Sequence, residues 1–167
     1  MLAASRDMPV FENFQWPEPE EEADEKLIHD VREHGCHILN VYAHPPFSFS
    51  IGLALNYGQA EIVIIGMSAS QSTKIINIVR DGAASGKMYV DGDISTDILV
   101  GLKVRFVEVP LELYYEYLGT AIWFYRKSPQ PFPCLQLVWP DRGGRFPWEA
   151  GCDAGVRKDQ PILKPIS

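Results

Sequence analysis

Glu61-Ile62-Val63-Ile64-Ile65-Gly66 constrains this chain more than any other segment. Four consecutive β-branched residues closed by a glycine leave no polar alternation, and such a run reads as a short strand buried on both sides. Phe47 to Leu53 has a different period. Phe47, Phe49 and Ile51 fall on one face of a strand and Ser48 and Ser50 on the other, which predicts a solvated serine face. Cys36 to Ala43, Lys87 to Val90, Lys103 to Val109 and Leu135 to Trp139 supply further strand patterns, while 94–101 reads as irregular.

Helical spacing appears in three places. Asp24 to His34 carries Leu27, Ile28 and Val31 as a short apolar stripe, with acids in the first turn and Gly35 after the last. Ala69 to Ala84 places Ile75, Ile76 and Val79 inward, with Ser68 or Ser70 to cap its start and Gly86 at its exit. Pro110 opens a third helix running to Lys127, with Leu111, Tyr114, Leu118, Ile122 and Tyr125 on one stripe. Tyr115, Trp123 and Phe124 fall outside that stripe, and a helix apolar over so much of its circumference needs cover from a second element or a second subunit. The pattern predicts an α+β fold, a single mixed, mostly antiparallel sheet of five to six strands with about three helices. The strand–helix–strand stretch after Glu61 is the one place that invites a parallel pair.

Charge divides the chain differently. Residues 1–25 hold eight of the 22 acids against one of the 15 bases, so the net charge of −7 belongs to the N-terminal arm and the remainder is neutral. Residues 1–22 read as an acidic, partly disordered arm, because Pro17-Glu18-Pro19-Glu20-Glu21-Glu22 resists regular structure. Residues 23–167 read as a single α+β domain. The arm is expected to be a solvated lead-in to the first helix, although Phe11, Phe14 and Trp16 give it the means to dock on its own domain or on a second copy. No concentrated basic footprint marks a nucleic-acid surface, and no apolar run approaches the ~18 residues of a membrane span. The first residues lack the apolar stretch of a secretory signal, and Cys36, Cys134 and Cys152 are odd in number with no C-x-x-C pair. The expectation is a cytoplasmic protein with free, mostly core cysteines.

Candidate chemistry is sparse. His34-Gly35-Cys36-His37 has the look of a metal cluster, but zinc needs further convergent ligands, and His34 as a helix terminus and His37 as a strand residue explain both. No metal and no cofactor are predicted. Gly66-Met67-Ser68-Ala69-Ser70 sits where a nucleophile elbow would, but lacks its closing glycine, so helix capping accounts for it. Leu135 to Glu149 is richer, with two tryptophans, two arginines and two carboxylates. Arg145 beside Trp139 and Trp148, with Asp141 and Arg142 in the turn, makes a platform suited to a planar or anionic ligand.

Phe47 to Leu53, Gly119 to Tyr125 and Leu135 to Trp148 together resemble a bacterial family of unknown function. Its members carry a Gly-x-His element after a helix, an F-x-Y-T-I-G-L-like strand, a G-x-P-E-L turn and an L-Q-L-V-W-P-D…G-x-F-P-W block. The similarity runs from about Asp24 to Leu163. Cys36 stands where an aromatic is common, and Gln59-Ala60 replaces the usual His-Pro, so any service of that histidine in relatives is lost here. The resemblance implies domain boundaries and an intracellular address, and no activity.

Two functional readings remain. One is a non-enzymatic binding protein, of immunity or accessory type, holding a protein partner through Phe11, Phe14, Trp16, Glu20, Glu21 and Glu22. The other is a small enzyme or ligand-binding domain with a pocket walled by Trp139, Asp141, Arg142, Arg145 and Trp148. The apolar spill on the third helix also suggests a homodimer.

Overall fold

The computed structural model describes residue 11 and residues 13–166. The chain runs α1 (Glu22–His34), β1 (His37–Val41), β2 (Phe47–Ile51), α2 (Leu53–Tyr57), β3 (Glu61–Ile65), α3 (Ala69–Ala84), β4 (Ile94–Leu99), β5 (Leu102–Glu108), a 3-10 turn (Leu111–Leu113), α4 (Tyr114–Tyr117), α5 (Gly119–Phe124), β6 (Cys134–Val138) and α6 (Ala154–Asp159). The six strands form one sheet in the order β1-β2-β3-β6-β5-β4, and every pairing is antiparallel except β3 with β6. The α+β class with a mixed, mostly antiparallel sheet is therefore the observed one. The parallel partner of β3 is not the next strand, however. β4 goes to the far edge, and the chain returns through β5 to lay β6 beside β3.

All five residues of β3 and of β6 are buried, because the sheet is covered on both faces. Val63 and Ile65 pack with Leu27 and Val31 of α1 and with Leu118 and Phe124 of the helical segment after β5. Ile62 and Ile64 point the other way, toward Ile75, Ile76 and Val79 of α3, together with Phe106 and Leu137. α3 begins at Ser68, whose side chain accepts from the Gln71 amide, so capping is the role of that serine.

Four local readings are corrected. The 87–90 segment is not a strand, because the Gln59 side chain satisfies its backbone in place of a neighbouring strand: the Tyr89 amide donates to Gln59 Oε1 at 2.8 Å, and Gln59 Nε2 donates to the Tyr89 carbonyl at 3.2 Å. Residues 94–99 do form a strand, with a bulge between Ser95 and Leu99 that erases the period-two pattern. The third helix is broken at Leu118 (φ −118°, ψ 30°), so α4 and α5 turn relative to each other. That break buries Phe124 and leaves Leu111 and Tyr115 outside. Ser48 and Ser50 are 2% and 0% exposed instead of solvated, because that face of β2 lies over polar partners.

Where it is described, the arm is solvated only in its acidic stretch, and its aromatic residues pack on the domain. Phe14 stacks on Phe124 with ring centroids 5.3 Å apart, Phe11 lies 5.2 Å from Tyr125, and Trp16 meets Phe124 edge-on. The Arg32 guanidinium covers the outer face of Trp16 at 4.1 Å. Part of the apolar circumference of the third helical segment is thus covered by the chain's own arm. Residues 1–10 and 12 lie outside the described residues, and so does the expectation of disorder there. Phe14→Ala should cost about 1–3 kcal/mol in urea unfolding. Glu18→Ala, on the exposed acidic stretch just beyond it, should stay within about 0.5 kcal/mol.

Candidate functional site

Glu61 opens β3 and is fully buried. Its carboxylate collects donors from three elements. Ser50 of β2 donates its hydroxyl to Oε1 at 2.7 Å, and the Leu53 amide reaches the same oxygen at 3.1 Å. Oε2 accepts from the amides of Gly52 at 2.9 Å and Ala54 at 3.3 Å, and from the phenol of Tyr125. Gly52 makes the cradle sterically feasible. At φ 112° it bends the chain from β2 straight into α2, so that three consecutive amides point inward at the start of a helix. The ring of Tyr125 in turn packs beneath Phe11 and Phe14.

Burial is the dominant influence on Glu61 and pushes its carboxyl above the ordinary range, while hydrogen bonds from Tyr125, Ser50 and the amides pull it back. Burial and the adjacent carboxylate likewise hold the Tyr125 phenol far above its usual value. Cys36 is pushed up to about 12 by burial and then by Glu61, which makes it an inert thiol despite its neighbour Arg80. With its acceptor positions filled and no solvent exposure, the Glu61 carboxylate is engaged in holding the fold.

The loop after β6 is built the same way. Asp141 Oδ1 accepts from the amides of Gly143 and Arg145 at 2.9 Å each, and Oδ2 from Asp153 at 2.9 Å. The Arg145 amide first, then that of Asp153, hold its carboxyl below the ordinary aspartate value. The carboxylate is therefore engaged in holding the turn. Trp139 is clamped by Gln160, which accepts from its amide at 2.9 Å and donates to its carbonyl at 2.8 Å, and its indole N–H donates to Ile65 O. Trp148 belongs to a separate cluster, stacked on Phe146 at 4.9 Å with the Arg105 guanidinium 5.4 Å above it. The fold thus brings Asp141, Arg142 and Arg145 around one open hollow of about 430 Å³, and the two tryptophans have no part in its lining. It is Arg105, not Arg145, that lies over Trp148.

A more apolar feature lies between the 3-10 turn, α4 and the segment that follows α5. Leu111, Tyr115, Ile122, Arg126, Pro129 and Pro131 border an open groove of about 330 Å³, and Leu111 and Tyr115 are among the exposed large apolar residues. On the other flank of α5, Gly119, Thr120 and Trp123 border a hollow whose remaining wall is Glu20, Glu21 and Asp24. The arm residues are therefore split. Phe11, Phe14 and Trp16 turn onto the domain, Glu20 and Glu21 edge this acidic hollow, and Glu22 stands exposed in the first turn of α1. Sequence reasoning missed the groove because the break at Leu118 decides which apolar residues stay outside. It missed Glu61 although a signal was present, a carboxylate at the head of a strand otherwise apolar on both faces.

Residues 30–153 match the family model described as Domain of unknown function (DUF4262), and the chain belongs to that family. No curated protein and no solved structure matches it. No helix among the described residues is long and apolar enough to cross a membrane.

Removing the carboxylate strands two hydroxyls and three amides in the interior. Glu61→Ala should therefore cost about 3–5 kcal/mol in chemical denaturation, and Tyr125→Phe about 1–3 kcal/mol. The pH dependence follows from the raised pKa. The Glu61 contribution is fully present below the ordinary glutamate value of 4.5 and is lost as pH rises through the folded-state value. The stability of the wild type relative to Glu61→Gln should fall with rising pH over that window. A difference that stayed flat or grew would contradict the assignment.

Proposed function

We propose that this member of the family is a non-enzymatic binding protein that holds a partner polypeptide across α5. The observation that carries the reading is the pairing of features around that short helix, an apolar groove that it reaches through Ile122 and an acidic hollow that it borders with Gly119, Thr120 and Trp123. Apolar anchors fill a groove, while a charged rim selects and steers the partner. The occupant that fits is a peptide segment with an aromatic or aliphatic anchor followed by Lys or Arg. Neither the buried carboxylate of Glu61 nor the loop carboxylate of Asp141 offers competing chemistry at this face, since both are committed to holding backbone. An immunity or accessory protein, whose activity is the act of binding, suits such a surface.

Selection of displayed random peptides against the immobilised chain should enrich apolar anchors flanked by basic residues. Tyr115→Ala and Ile122→Ala should each weaken the winning peptide by more than about 1 kcal/mol. Glu20→Lys with Glu21→Lys should weaken it and flatten its salt dependence. Selection that returned acidic peptides, or none, would reject the reading. If a second copy of the chain is the occupant, sedimentation will report a homodimer that Tyr115→Ala dissociates.

A second reading retains the loop after β6 as a ligand site, supported by the hollow that Arg142 and Arg145 border. Native mass spectrometry would then find a retained small anion that Arg145→Ala releases.

A further inference from the structure

We propose that the C-terminal half of α1 carries a site for a divalent transition-metal ion of the zinc type, with His29, His34 and Asp30 as its protein ligands. The inference is independent of the partner surface on α5. The sequence suggests a different set, His34 with Cys36 and His37, and the structure takes that set apart. Cys36 is buried in the core cluster that holds Leu53 and Ile76. In its place the helix brings back His29. One ligand atom each from His29, Asp30 and His34 lies within 4.8 Å of the other two. The two imidazoles meet edge to face with centroids 6.0 Å apart, so modest side-chain rotation brings a nitrogen of each onto one ion.

The arrangement around Asp30 supplies the second observation. Lys26 Nζ at 3.0 Å and His37 Nδ1 at 2.9 Å both engage the same oxygen, Oδ2. Among the described residues no hydrogen bond is directed at Oδ1, nor at either ring of His29 and His34. His37, at the start of β1 and half-buried, therefore does for Asp30 what outer partners do in metal sites: it fixes the carboxylate while leaving the other oxygen available.

Ligand chemistry selects the ion. Two imidazoles and a single carboxylate suit Zn²⁺, Co²⁺, Ni²⁺ or Cu²⁺, whereas Mg²⁺ and Ca²⁺ demand mostly oxygen. The helix contributes as well, since His34 is its last residue and the negative end of the dipole favours a cation there. Three protein ligands leave at least one position for water or an outside donor, which is the open form of a zinc site. His29 and His34 are both exposed, so this position faces solvent.

The test uses the full chain with any affinity tag removed, titrated calorimetrically with Zn²⁺ alone and followed in parallel by the visible absorption of Co²⁺. One ion should bind per chain. His29→Ala and His34→Ala should each weaken Zn²⁺ binding by more than ~10-fold, and His37→Ala, which removes the support of Asp30, by ~10–100-fold. His44→Ala serves as the remaining-histidine control and should change nothing. The replaced ligand side chains are exposed, and circular dichroism confirms that each variant is folded. Absence of Zn²⁺ binding up to millimolar concentration overturns the proposal. So does binding that survives both His29→Ala and His34→Ala, binding that His44→Ala abolishes, or Mg²⁺ binding in place of Zn²⁺.

Discussion

The carboxylate of Glu61 is the point on which the sheet and its cover depend. One side chain accepts from β2 through Ser50, from the start of α2 through three amides, and from the end of the third helical segment through Tyr125. A buried carboxyl group without such partners would be costly, and the donors without their acceptor would be orphaned in turn. The two halves of this arrangement explain each other. Gly52 turns the chain so that its amides converge, and convergence of amides makes room for an acid where an apolar residue would otherwise stand. Tyr125 extends the chain of consequences outward, because the aromatic arm packs on the same ring.

Elsewhere the fold uses polar side chains in the same capacity, as substitutes for missing backbone partners. Gln59 pairs with both polar groups of Tyr89 and pins a segment that has no neighbouring strand. Gln136, fully buried in β6, donates to Pro161 O and accepts from the Leu163 amide, and Gln160 does the same for Trp139. Asp141 gathers the amides of the loop that follows. Each device closes off an irregular stretch whose backbone would otherwise be buried unsatisfied. Residues of this kind resemble catalytic ones in a sequence, being polar, buried and isolated among apolar neighbours. Here their acceptors and donors are spent on main chain.

That division directs attention to the surface. With the interior carboxylates committed, the surface offers the flanks of α5, the C-terminal turns of α1 and the hollow beside Arg142 and Arg145. The two helices owe their ends to local events, the break at Leu118 before α5 and the closing turn at Gly35 after α1. α5 presents Ile122 to a groove and Gly119, Thr120 and Trp123 to a hollow, and α1 brings His29 beside His34 while β1 returns His37 to Asp30 from outside the helix.

Periodicity alone determined a good deal of this protein. The unbroken β-branched run marked β3 as an interior strand, the stripes of α1 and α3 were legible from residue spacing, and the charge balance placed the acid in the arm. These are local properties, set by side-chain alternation and turn chemistry. The tertiary structure decided the rest. It paired β3 with β6 instead of the next strand, turned Phe14 and Trp16 inward, and separated Trp139 from Trp148. It also converted Ser50 from an expected surface residue into a buried donor. The physical reason is common to all four. Which face of an element is buried, and which polar group finds a partner, depends on residues far away in the chain, and Glu61 and Tyr125, 64 apart in sequence, carry no local trace of their contact.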